Sequence, residues 1–91
     1  MKFMLTFTIT PERRNETIAR FKETGGRPPK GVKLLGRWTA ADLSGGFALL
    51  ESDDSKALTE LSLRWSDLMK LPIVPVVEDA ELTEVFKHAG K

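Results

Sequence analysis

Hydrophobic and polar residues alternate from the second residue onward: in KFMLTFTIT, Phe3, Leu5, Phe7 and Ile9 fall on one side, while Met4, Thr6, Thr8 and Thr10 fall on the other. A period of two predicts a strand with one buried face. Thr10 then reads as a helix cap and Pro11 as a first-turn residue, where the missing N–H costs nothing. The helix that follows carries Ile18 and Phe21 on one face, pairs Glu16 with Arg20 four residues apart on its wet side, and ends at Gly25-Gly26. The segment VKLLGRWT predicts a second strand and GFALLES a third, joined by the turn residues of ADLSG into an antiparallel hairpin. Asp53 or Asp54 opens the next helix, and Ala57, Leu58, Leu61, Trp65 and Leu68 recur at helical spacing, the strongest periodic signal in the chain. Pro72 stops that region, IVPVV supplies a short fourth strand whose Pro75 suits an edge or bulge, and a last helix places Leu82, Val85, Phe86 and Ala89 on one face.

The resulting order, βαββαβ plus a C-terminal helix, is that of a ferredoxin-like α+β fold: one domain over residues 1–91, with two helices on one face of an antiparallel sheet. The other face is left bare. Because a soluble protein seldom leaves a wide apolar sheet face open, a partner sheet or a ligand is expected to cover it.

Composition narrows the function classes. The 91 residues are 30% charged and 41% hydrophobic, which fits one ordinary globular core and neither disorder nor a membrane span. The N-terminus lacks the continuous apolar block and small-residue cleavage site of a signal peptide, so a cytoplasmic protein is expected. With no cysteine there is no disulfide, thiol nucleophile or thiolate ligand. The single histidine, His88, sits in the last helical turn, and Asp53-Asp54 reads as a helix start, so neither a metal nor another cofactor is expected. Net charge is +1, and the one basic concentration, RPPKGVK, lies on a Pro/Gly loop. GGFALLES matches the third-strand signature of RNA-recognition domains only at Gly46, Phe47 and Ala48, so no nucleic-acid partner is expected.

Candidate chemistry therefore rests on few side chains. Strict alternation puts Val32, Leu34, Gly36 and Trp38 on one face of the second strand and Lys33, Leu35, Arg37 and Thr39 on the other. Arg37 and Trp38 then point apart and form no cation–π pair. Gly36 leaves space beside Trp38, and Trp65 brings an indole N–H into the space between helix and sheet. These features make Trp38, Trp65, Arg37, Thr39 and Phe7 the ligand-binding candidates. Catalytic residues are not identified: Glu51 and Asp67 are the acids nearest to apolar segments, and a surface role accounts for both.

The strings MKFMLTFTI followed by Pro11-Glu12, GVKLLGRW, GFALLESDD and WSDLM, spread over nearly the whole chain, are similar to a bacterial family of small uncharacterised proteins in the dimeric α+β barrel group. That resemblance implies a homodimer in which two ferredoxin-like units pair their open sheet faces. It also implies histidine in many relatives where this chain has Thr39, which leaves this chain without an acid/base group at that position. The wider group includes cofactor-independent monooxygenases, haem-degrading enzymes and stress-responsive barrels. Fold alone does not choose among them. The expectation is a homodimeric barrel holding a small apolar or aromatic molecule between sheet and helices, a cofactor-independent oxygenase or isomerase if it is an enzyme. The alternative is a non-catalytic protein–protein interaction module with a fully packed barrel.

Overall fold

The computed structural model describes residues 1–90. Strand β1 (Lys2–Ile9) leads through a 3₁₀ turn (Pro11–Arg13) into helix α1 (Arg14–Thr24), and the hairpin β2 (Lys33–Thr39) and β3 (Gly45–Glu51) precedes α2 (Ser55–Trp65). Two short strands, β4 (Met69–Lys70) and β5 (Ile73–Val76), and helix α3 (Asp79–Ala89) complete the chain. The fold is α+β, and its antiparallel sheet order, β2-β3-β1-β4 with β5 also on β1, is compatible with a ferredoxin-like arrangement.

The alternation of β1 decides which side chains are covered. Across the sheet, Leu5 lies opposite Ala48 and Ile73, and Phe3 lies opposite Leu50. These residues meet α2, whose Ala57, Leu58 and Leu61 complete the core with Leu5, Val32, Ala48 and Leu50. Leu50 is 2% exposed, the most deeply buried large side chain. The start of α2 is fixed by Asp54, whose carboxylate accepts from the Lys56 and Ala57 N–H groups, while Asp53 pairs with the Met1 amino group.

Four local expectations are corrected. Thr10 makes no side-chain cap bond, because the tight 3₁₀ turn takes up its carbonyl through the Arg13 N–H and delays the helix to Arg14. Glu16 pairs with Arg13 at 3.3 Å, and Arg20 instead reaches Asp67, two residues past the end of α2. The helix expected to carry Leu68 ends at Trp65: Leu68 falls in the turn that follows, its N–H donating to the Trp65 carbonyl at 3.0 Å, and the two-residue β4 forms ahead of the expected strand at Ile73–Val76, with the Pro72 carbonyl between them accepting from the Thr6 N–H at 3.1 Å. Finally, the β2–β3 register jumps between Leu34 and Gly36, so strict alternation along β2 fails at Leu35. This bulge puts Leu34, opposite Leu50, on the same face as Arg37, opposite Ala48, and Thr39, opposite Gly46.

Among the described residues, nothing covers the far face of the sheet. Trp38 faces Phe47 across β2 and β3, and Met4 faces Val74 across β1 and β5. Trp38 is 59% exposed, Phe47 53% and Val74 54%. Helix α3 is bare as well: none of its residues is buried, and its stripe includes Val85 and Phe86. The radius of gyration, 15.3 Å, exceeds the roughly 12 Å of a compact chain of this length, as a projecting helix requires. No helix among the described residues is long and apolar enough to cross a membrane.

Candidate functional site

Beneath α1 and α2 the covered face of the sheet does not fill. Small residues, Gly46 and Ala48, occupy the covered face in the first half of β3, opposite Phe7 and Leu5 of β1. A Cβ at Gly46 would come within 2.5 Å of the Phe7 ring, so glycine there leaves room for that ring over β3. The result is a cavity of about 480 Å³, within the size range of small-molecule sites. Leu5, Phe7, Leu34 and Leu50 form its floor, Ile18 and Phe21 of α1 one wall, and Leu61 and Trp65 of α2 the other.

Four of the five sequence candidates, Phe7, Arg37, Thr39 and Trp65, line this cavity. Trp38 does not. The bulge at Leu35 turns its face of β2 toward the open side, and its indole folds back over Gly36, where an added Cβ would meet the ring at 2.7 Å. The space expected beside Gly36 is therefore filled by Trp38 itself, and neither a helix nor a ligand enters there.

Arg37 is held in place by the end of α1. Gly25 closes the helix in the left-handed conformation at φ 71°, its N–H donating to the Phe21 carbonyl, and Gly26 follows at φ 62°. The exposed carbonyls of this turn accept from the guanidinium, Nη1 to Gly26 at 2.7 Å and Nη2 to Gly25 at 3.4 Å. The guanidinium also stacks on the Phe21 ring, 4.8 Å from its centroid. A Cβ at Gly26 would meet both the Phe21 ring and the Arg37 guanidinium below 3.0 Å, so this glycine is what allows the three groups to come together. Burial lowers the Arg37 pKa from its ordinary value, because no carboxylate compensates the loss of water.

On the opposite wall, Arg20 forms a bidentate pair with Asp67, both bonds 2.8 Å, donates to the Arg64 carbonyl and lies over the Trp65 ring at 5.7 Å. The pair clamps α1 to the end of α2 and steadies Trp65. Asp67 is held below the usual carboxylate range by the hydrogen bonds from Arg20, which is the signature of a structural ion pair. Glu51 is exposed at the end of β3, and His88 lies on bare α3.

Sequence reasoning missed Phe21, Lys22 and Leu43 as lining residues. Leu43 could have been suspected only from the turn chemistry around it: Asp42 accepts from the Ser44 N–H and hydroxyl, which forces Leu43 to φ 63° and aims it at the cavity. A leucine in this region is strained by about 1 kcal/mol or more. No aspartate, glutamate or histidine is among the lining residues, whose charged members are Arg37 and Lys22. The described residues hold no cluster of three or more metal-ligating side chains.

In comparison with known proteins, residues 1–90 match a family described as a domain of unknown function (DUF3303). No curated protein and no solved structure matches the chain. A match spanning all but the last residue, over the β-strands and helices that build the cavity, places the chain in the family described as domain of unknown function DUF3303.

Proposed function

We propose that this protein is a homodimer that binds a small, largely apolar molecule in the cavity between its sheet and helices α1 and α2. The observation that carries the reading is the cavity itself: about 480 Å³ of space lined by Phe7, Ile18, Leu61, Trp65 and other apolar side chains, with a few polar groups, Thr17 and Lys22 of α1 and Arg37 and Thr39 of β2, among them. A fully packed barrel, the basis of the interaction-module alternative, would leave no such volume.

Dimerisation is supported by the other face. Trp38, Phe47 and Val74, all more than half exposed, form an apolar surface with Met4 and Leu49 on the bare side of the sheet. A second copy presenting the same surface would bury it by face-to-face sheet packing. Helix α3, projecting with Leu82, Val85 and Phe86 exposed, is available to the same partner. With no carboxylate, imidazole or thiol in the lining, the cavity offers hydrogen bonding and positive charge but no proton-transfer pair. Binding is therefore the favoured activity, and an oxidation or isomerisation would draw on the reactivity of the bound molecule.

Native mass spectrometry of gently purified protein tests both halves. The reading expects a dimer carrying one added small mass per chain, or an apo dimer that takes up an apolar probe. A monomer contradicts the dimer, and a dimer that takes up no apolar molecule contradicts the cavity function.

A further inference from the structure

The cavity described above has an electrostatic asymmetry that an apolar ligand alone leaves unused. Its two charged lining residues, Arg37 and Lys22, are both cationic, and neither forms an ion pair with any described residue. Resting on the reading of the cavity as a binding site, we propose that its ligand is a small amphipathic carboxylate whose anionic head pairs with Arg37 while its apolar body lies toward Trp65.

Arg37 is built to be such an anchor. Its guanidinium has five N–H donors, of which the Gly25 and Gly26 carbonyls engage one on each terminal nitrogen. Those bonds and the Phe21 ring fix its plane, so the remaining donors are presented without further loss of side-chain freedom. The group is half-buried, and burial disfavours its charge with no carboxylate nearby to offset it. An incoming carboxylate restores that balance and gains charge-assisted hydrogen bonds.

The surroundings agree in sign and placement. Thr39 lies on the same face of β2 as Arg37, bringing a hydroxyl to the cavity, and Lys22 follows Phe21 on α1, adding a second positive charge. The lining that α2 and the segment after β4 supply is apolar, with Leu61, Trp65 and Leu71. No acidic side chain in the lining would repel an anion.

The test compares two probes that differ only at the head, 4-phenylbutanoate and 4-phenylbutan-1-ol, at pH 7. Binding is followed by the indole N–H resonance of Trp65 in ¹⁵N-labelled dimer. The expected result is carboxylate binding at least about tenfold tighter than the alcohol, the scale of a hydrogen bond to a charged group. Arg37→Gln should erase that advantage and leave the alcohol's affinity within about threefold, whereas Arg37→Lys should keep part of it. Lys22→Gln, which breaks no hydrogen bond seen in the fold, should reduce the advantage by a smaller factor. This second site keeps the test open should the Arg37 variants disturb the α1–β2 turn.

Equal affinity for the two probes in the unsubstituted protein overturns the anionic-head proposal and leaves an apolar cavity standing. An advantage that survives in a folded Arg37→Gln variant also overturns it. If neither probe moves the Trp65 resonance, the cavity reading itself fails, and the proposal falls with it.

Discussion

The two faces of one sheet are both rich in apolar residues, yet they use them in opposite ways. On the covered face, Leu5, Ala48 and Leu50 are buried against helices, but the small side chain of Ala48 and the missing one of Gly46 leave room beneath α1 and α2. On the open face, two large aromatics, Trp38 and Phe47, stand side by side and more than half exposed. Along β3 and its β2 neighbour, the aromatic side chains are thus on the bare face, while the covered face has alanine and glycine at Ala48 and Gly46. That inversion makes sense if the open face completes a core with another copy, while the covered face has been kept short of filling for a ligand.

The sharpest break in the comparison comes from adjacent leucines that point to opposite faces. Leu50→Ala, at the most buried position, should cost about 3 kcal/mol of unfolding free energy, whereas Leu49→Ala on the open face should cost about 1 kcal/mol within the single chain. Denaturant titration at a protein concentration low enough to dissociate the proposed dimer measures both; equal losses would mean that the two faces are not distinct. Trp38→Glu comes next: it should weaken dimerisation by about 2 kcal/mol or more, roughly 30-fold, by sedimentation equilibrium, while ligand uptake at Trp65 stays unchanged.

Gly26→Ala sharpens the covered side. It places a Cβ against Phe21 and Arg37 at a positive φ, and should cost about 1–2 kcal/mol in thermal or chemical unfolding together with a loss of carboxylate selectivity. The smallest effect concerns pH. Because the hydrogen bonds from Arg20 depress the Asp67 pKa in the folded state, the pair contributes stability above pH about 4, the unfolded value, and loses it as pH falls through the lower folded value. Asp67→Asn should flatten the stability profile in that acidic window, with little change at pH 7 beyond the loss of the clamp; an unchanged acid profile would remove Asp67 from the account.

What the sequence could reveal follows from how each element is specified. The alternation of β1 and the helical spacing of Ala57, Leu58, Leu61 and Trp65 are each set by one buried face, and both elements were legible. The bulge in β2 was not, because Leu34 and Leu35 are both apolar and pattern alone cannot say which one the strand sets aside. That single residue decides whether Arg37 shares a face with Leu34 or opposes it, and so whether Arg37 or Trp38 belongs with the core. The opposition of Arg37 and Trp38 themselves was readable, since neighbours in a strand always diverge.

Contacts that join distant residues were hidden for a different reason. Arg20 meets Asp67 across 47 positions, and Arg37 meets the carbonyls of Gly25 and Gly26 only because α1 ends in a left-handed turn beside β2. Local charge spacing suggested Glu16 as the partner of Arg20, and tertiary structure outcompeted it with a bidentate contact. The bare stripe of α3 was visible in its periodicity, but its lack of cover depends on where the helix projects.

The central claim, one sheet with a ligand face and an assembly face, has a reporter on each side: the indole of Trp65 lines the cavity, and that of Trp38 stands on the open face. The most direct measurement is a pair of ¹⁵N spectra series on the same sample, one diluting the protein and one adding 4-phenylbutanoate. The account predicts that dilution moves the Trp38 indole resonance with little effect on Trp65, and that the probe moves Trp65 with little effect on Trp38. A probe that moves only Trp38, or dilution that leaves Trp38 unmoved in a protein shown to dissociate, would contradict the division of labour between the two faces.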